Sequence, residues 1–341
     1  MNKNVLIIAE AGVNHNGDMD MARRLVDAAA AAGADFVKFQ TFKADKIVSK
    51  EARKAEYQIQ NTGDTDSTQY NMLRKLELSE QAHYQLKDYC AEKGIQFLST
   101  GFDEDSVDFL DGMGIPFFKV PSGELTNKPY LQRIAAKGKP VILSTGMADM
   151  EEISAAMAVL EASGVARSRI TVRHCNTEYP TPMEDVNLGA MNHIRQTLGV
   201  AVGYSDHTLG IEVPVAAVAL GATVIEKHFT LDKNLPGPDH KASLEPAELK
   251  AMVQAIRNIE RAISGDGLKA PSRSETPNKA IARKSLHYRH DLPAGHVLTE
   301  ADFIALRPGN GISPMEIDTL TGRSLKVPVS QTTLVEPEQL A

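Results

Sequence analysis

Two histidines, two lysines and several acids fall where short apolar runs end, and these residue types hold metal ions and anions. In Val224-Ile225-Glu226-Lys227-His228, strand alternation puts Glu226 and His228 on one face and Lys227 on the other. His207 closes the preceding run, Tyr204-Ser205-Asp206-His207. If the two runs are parallel neighbours about 5 Å apart, both imidazoles converge at one mouth, with Asp206 and Glu226 alongside. Two imidazoles and a carboxylate suit a divalent ion that keeps open positions for water or substrate. Lys38 and Lys119 lie in apolar runs with no acid beside them in sequence. A desolvated, unpaired ammonium is costly, so each requires an anion. With Ser99, Thr100, Ser122 and Ser205, the lysines would hold a phosphate and a carboxylate by charge-assisted hydrogen bonds. Glu124, just after Ser122-Gly123, would hold or deprotonate a water near the ion, and Glu10 would join it or anchor a lysine. Arg307, before Pro308 and Gly309, suits an amide or carboxylate oxygen. There is no Walker loop and no GxGxxG.

These residues must be positioned by the elements around them. Eight apolar runs, at 5–12, 35–42, 95–102, 117–122, 141–146, 170–176, 200–207 and 223–230, alternate with amphipathic segments such as 19–32, 151–163 and 245–264. Strand then helix, repeated in this way, predicts a (β/α)8 TIM barrel, with a doubly wound open sheet as the alternative. Polar residues gather at the C-terminal ends of the predicted strands, the rim where barrel active sites are built. The connection 43–78 is long for a β/α loop and is expected to cover substrate; it holds Tyr57, Asn61-Thr62-Gly63 and a polar piece at 64–69. A Gly, Pro and Ser-rich stretch then reads as a linker. The predicted organisation is a barrel at 1–265, a linker at 266–281 and a small β-rich domain at 282–341.

Composition narrows the function class. A net charge of −7 and a pI near 5.8 give no basic surface for nucleic acid or an anionic membrane. The longest apolar run, 213–225, is broken by Pro214 and Gly221 and is shorter than a membrane span, so no membrane anchor is expected. Cys90 and Cys175 fall in a predicted helix and a predicted strand, which reads as reduced thiols in a cytoplasmic protein.

The ordered motifs Ile8-Ala9-Glu10-Ala11-Gly12-Val13-Asn14-His15-Asn16-Gly17, VKFQTFKAD, KVPSGE, ILSTGM, HCNTEYPTP, YSDHTLG, IEKHFTLDK, GPDH and RPGNGISP closely resemble the bacterial sialic acid synthases, legionaminic acid synthases included. The resemblance runs from about residue 5 to the C-terminus. It implies a barrel joined to an antifreeze-like (SAF) domain, in a domain-swapped homodimer where Arg307 serves the partner's barrel. It implies condensation of phosphoenolpyruvate with N-acetylmannosamine or a related 2-acetamido sugar, giving a nine-carbon 2-keto acid and phosphate, with Mn²⁺, Mg²⁺ or another divalent ion.

Carried over by position, His207 and His228 resemble the metal ligands. Lys38, Thr100, Lys119, Ser122 and Ser205 resemble the phosphoenolpyruvate contacts, with Asn176 or Thr177 sharing that role. Gln40, Asn61, Tyr179, Asp239 and Arg307, with Glu10, resemble the sugar-binding positions, and Glu124 and Glu226 the acids near the metal. This chain has Asn176-Thr177 where some relatives have the reverse order, Gly101 where STPF is common, and no aromatic in Ala282-Arg283-Lys284-Ser285. Both N-acetylmannosamine and 2,4-diacetamido-2,4,6-trideoxymannose fit the resemblance. The competing readings are an aldolase with Lys119 as Schiff base, and a non-catalytic carbohydrate-binding protein.

Overall fold

A computed structural model describes residues 4–62 and 68–341. Gly63 and residues 64–67 of the expected cover lie outside the described residues. The chain divides into two compact units, Met1–Ser264 and Gly265–Ala341.

In the first unit the eight apolar runs form eight parallel strands: β1 (Leu6–Gly12), β2 (Phe36–Thr41), β3 (Gln96–Gly101), β4 (Phe118–Val120), β5 (Val141–Ser144), β6 (Ile170–Cys175), β7 (Ala201–Asp206) and β8 (Val224–His228). Hydrogen-bonded neighbours run β3-β2-β1-β8-β7-β6-β5-β4, and β3 and β4 pack side by side, so the sheet curls into a nearly closed barrel. The open doubly wound sheet is thereby set aside.

The sequence shows why these segments take these conformations. Each strand contributes one apolar face, including Ile7, Ala9, Val37, Phe39, Val172, Val202 and Ile225, to the core beneath the helices. Helix Met19–Ala32 starts where the Asp18 carboxylate accepts from the backbone N–H of Asp20 and Met21, and stops at left-handed Gly33. Helix Pro246–Ala262 opens with Pro246 and a reciprocal Glu245/Glu248 cap. Both keep an apolar stripe, such as Leu249, Met252, Val253 and Ile256, turned to the core.

The described part of the long connection after β2 is largely helical. It carries helices Ala44–Ile47, Glu56–Thr62 and Gln69–Leu76. Met72 and Leu76 join Val13 and Phe42 in a small apolar cluster distinct from the barrel core, with Ile47, Leu73 and Phe102 packed against it. This cluster fixes part of the connection over the C-terminal ends of β1, β2 and β3.

In the second unit, the segment expected as linker contains helix Thr276–Ala282. Strands β9 (Ser285–Tyr288) and β10 (Phe303–Leu306) pair antiparallel. The unit has its own core of Leu286, Tyr288, Leu298, Phe303, Leu320, Leu325, Val335 and Leu340. Arg307 follows β10 and donates through Nε to the Ala282 carbonyl of the same unit. No helix among the described residues is long and apolar enough to cross a membrane.

Candidate active site

Alternation delivers one set of side chains to the barrel interior, and register decides which of them meet. Glu10 lies opposite Lys38 on β2 and opposite His228 on β8. Glu226 lies opposite Ser205, and Arg173 opposite Gly203 and Ser144. The result is a buried charge cluster. Lys38 Nζ is 2.8 Å from Glu10 Oε2 and 3.4 Å from Glu226 Oε2, and donates to Thr100 Oγ1 at 3.0 Å. Arg173 donates to Glu226 Oε2 at 2.7 Å and to Ser144 Oγ at 3.1 Å. Lys119 Nζ stands 3.9 Å from Glu226 Oε1.

Each lysine, without an acid beside it in sequence, thus has one beside it in space, and Glu10 anchors Lys38. Their partners come from β1 and β8, strands remote in sequence, so inspecting sequence neighbours could not find them. Three cations nevertheless face two carboxylates. Burial would raise the Glu226 pKa, but Arg173, Lys38 and Lys119 outweigh it and hold this carboxyl well below its usual range. Glu10 is raised by burial, against the pull of Lys38. Lys119 is pulled down to about 8 by burial, despite the opposing attraction of Glu226. The cluster is short of negative charge, which is the electrostatic form of an anion site.

Arg173 is fully buried and was not anticipated as a site residue. Alternation of Thr171, Arg173 and Cys175 along β6 carried the signal. Gly203 makes room for it: a Cβ there would lie 2.5 Å from the Val224 carbonyl oxygen and 3.0 Å from Arg173 Cγ.

The two imidazoles do meet. The His207 and His228 ring centroids are 5.3 Å apart, with ring planes at 63°. His207 Nδ1 donates to the Asn176 carbonyl oxygen, which fixes the tautomer and leaves Nε2, now 3.0 Å from the Tyr179 hydroxyl, as the electron-pair donor. Burial pushes His207 down to about 3 and His228 well below its usual value, so both rings are neutral. His228 Nδ1 is buried without a hydrogen-bond partner, and Asp239 Oδ2 lies 3.7 Å from it. Neutral rings, one unpaired nitrogen and adjacent carboxylates are a donor set that fits a divalent cation. Gly12, at φ 51, turns the chain beside them; a Cβ there would press within 3.3 to 3.4 Å of Gln40, Glu10 and His228.

The carboxylate expected to complete this pair is not supplied by Asp206 or Glu226. Asp206 points out of the barrel, where it pairs with Lys227 and accepts from Thr208, and Glu226 is bound by cations at the floor. Among the described residues no three His, Cys, Asp or Glu side chains gather into a closed cage. Asp239 is instead the acid beside His228, and burial, reinforced by Glu10, raises it to about 7.

Surrounding loops hold these groups in place. Tyr179 stacks on His207 with centroids 4.0 Å apart, and Tyr57 of the long connection stacks on Tyr179 at 5.2 Å. The NHNG turn after β1 carries the loop that bears Asp239: Asn14 donates to Phe229 O and Ser243 Oγ, Ser243 donates to Asp239 O, and Asn16 donates to Pro236 O. Asn14 and Asn16 thus brace the loop that bears Asp239.

A cavity of about 900 Å³ opens over the cluster. It is lined by Lys38, Lys119, Ser122, Thr177, Ser205, Gln40, Tyr179, Asp239, His207, His228, Glu10, Glu124 and Glu226. Glu124 is raised by burial and accepts from Asn127 at 2.6 Å. Other expected contacts are engaged elsewhere. Thr100 is fully buried beneath Lys38. Ser99, one residue out of phase, hydrogen-bonds Thr41 on the outer face. The Asn176 side chain accepts from Glu178 N and Thr181 Oγ1, leaving Thr177 on the cavity wall. Asn61 spans Tyr179 O and Pro238 O, pinning the connection rather than lining the cavity.

Residues 25–269 match the family model described as the NeuB family, and residues 283–341 match the SAF domain. The chain is 52% identical to an N,N'-diacetyllegionaminic acid synthase of Campylobacter jejuni over 94% of its length and 96% of that protein. It is 51% identical to the Legionella pneumophila protein of the same name, over 95% of this chain and 91% of that one. An N-acetylneuraminic acid synthetase structure from Leptospira borgpetersenii superposes with a TM-score of 0.70 at 33% identity, covering 81% of this chain and 90% of that chain.

Proposed function

The chain belongs to the NeuB family, and we propose that it condenses phosphoenolpyruvate with a 2-acetamido-mannose sugar and water, giving a nonulosonic acid and phosphate. The observation that carries this reading is the buried excess of cation beside a neutral imidazole pair. One feature calls for a multiply charged anion and the other for a divalent ion.

Lys38 and Lys119 receive the phosphate and carboxylate of phosphoenolpyruvate, with Ser122, Thr177 and Ser205 on the adjoining wall. Glu226 stays ionised and fixes the ammonium and guanidinium groups, so the anion meets a preorganised charge. Gln40, Tyr179 and Asp239 orient the open-chain sugar with its carbonyl carbon toward C3 of phosphoenolpyruvate. A divalent ion held by His207 and His228, Mn²⁺ or Mg²⁺, would supply Lewis-acid polarisation of the sugar carbonyl oxygen. As the carbon–carbon bond forms, C2 becomes cationic and water adds there, its proton taken up by Glu124. Phosphate then departs with the bridging oxygen. The family resemblance further suggests a domain-swapped homodimer with Arg307 serving the partner's barrel.

Phosphoenolpyruvate carrying ¹⁸O at C2 tests the scheme. The label is expected in inorganic phosphate, released only when the acetamido sugar and a divalent ion are both present. Retention in the keto acid would refute C–O cleavage. Trapping of pyruvate on Lys119 by borohydride would support the aldolase reading, to which the depressed Lys119 pKa lends its one argument.

A further inference from the structure

We infer that Arg173 is a positioning residue for the anion site: by holding Glu226 it leaves Lys119 to phosphoenolpyruvate, without touching the substrate itself; this rests on the condensation proposed above. Arg173 is fully buried and does not line the cavity, whereas Lys38, Lys119, Ser205 and Glu226 do. It belongs to β6 and Glu226 to β8, with β7 between them. Opposite Arg173 in register β7 carries Gly203, where a Cβ would lie 3.0 Å from Arg173 Cγ. The missing side chain lets the arginine cross β7. Its Nη1 then donates to Glu226 Oε2 at 2.7 Å, while Nη2 donates to Ser144 Oγ of β5 at 3.1 Å.

Stability does not account for this arrangement. Apolar residues of the same volume often match or better a buried ion pair, and Arg173 Nε adds the cost of a buried donor with no hydrogen-bond partner. Charge does account for it. Glu226 Oε2 is committed to Arg173 and, at 3.4 Å, to Lys38, and Oε1 accepts from Ser205 Oγ at 3.3 Å. Lys119 is left 3.9 Å from that carboxylate, beyond hydrogen-bond reach. Without the guanidinium, Lys38 and Lys119 would face Glu10 and Glu226 two against two. Glu226 could then close on Lys119, and the site would be neutralised from within. With it, one positive charge stays available to a guest.

The test is calorimetric titration of phosphoenolpyruvate into the full chain, its Arg173→Met and Arg173→Gln variants, and each of these combined with Glu226→Gln. Arg173→Met should bind about ten- to hundredfold more weakly, the effect of one buried unit charge, and should melt close to wild type because two cations still face two acids. Arg173→Gln should lose as much, since an amide keeps hydrogen bonds but not the charge. Adding Glu226→Gln restores the excess of cation, and affinity should return to within about threefold of wild type. A side chain that only filled space would not be rescued by a change at Glu226. If Arg173→Met fails to fold, the two Arg173→Gln variants carry the same comparison. Unchanged affinity in either single variant, or a loss that Glu226→Gln does not recover, would overturn the inference and leave the condensation standing. A wild-type chain with no affinity for phosphoenolpyruvate would overturn the condensation itself.

Discussion

Two groups of buried charges occupy opposite faces of the barrel sheet, and they are built on different accounts. On the outer face, Lys227 pairs with Asp206, donates to Thr208 O at 2.6 Å, and Asp206 accepts twice from Thr208. One cation meets one anion, and local hydrogen bonds saturate both. On the inner face, Lys38, Lys119 and Arg173 share Glu10 and Glu226, and Lys119 reaches its acid only at 3.9 Å. Both groups lie in the same fold and are equally shielded from water. The outer pair is complete without a guest, while the inner cluster carries an uncompensated cation beneath a cavity. Burial of charge alone does not mark a functional site; burial of unbalanced charge does.

The sharpest separation of the two comes from removing one lysine of each. Lys38→Met should lower kcat/KM by about a thousandfold or more, because the anion loses a preorganised partner, while leaving a folded barrel. Lys227→Met should do the reverse: stability falls by about 3–5 kcal/mol as Asp206 is left unpaired, while the folded fraction keeps its kcat. Chemical denaturation and steady-state kinetics on both variants check the pair. Equal activity losses would dissolve the distinction.

A smaller effect concerns ligand. Phosphoenolpyruvate at a hundred times its Kd should stabilise wild type and Lys227→Met by about 2.7 kcal/mol, and Lys119→Met far less, read as shifts in denaturation midpoint. A still smaller effect concerns pH. Lys119 is depressed from 10.5 to about 8, so between these values the folded chain holds fewer protons at this site than the unfolded chain. Its contribution to stability therefore rises with pH across that window. Phosphoenolpyruvate affinity should fall as pH passes 8, when the ammonium is lost. Opposite trends in the two measurements are expected in wild type, and neither Lys119 trend in Lys119→Met.

The same contrast explains what was legible in the chain. The eight strands could be read because each is a short apolar run bounded by turns, and the imidazole pair because Glu226 and His228 share a strand face next to His207. Ser99 was misplaced although alternation excluded it, since it stands one position from inward-facing Thr100. The balance of charge was not legible. Glu10, Lys38, Arg173 and Glu226 meet only through the order β2-β1-β8-β7-β6, which is a property of the closed sheet. Asn61 and Asn176 show a related limit: an amide that braces a loop looks, in sequence, like one that contacts a ligand.

The central claim is that Lys119 is the cation left over for the substrate, and calorimetric titration of phosphoenolpyruvate at pH 7 into wild type and Lys119→Met tests it most directly. Affinity is predicted to drop about a hundredfold or more in the variant, with a melting temperature no lower than that of wild type. Unchanged affinity, or a loss of stability comparable to that of Lys227→Met, would show that Lys119 belongs to the architecture and not to the site.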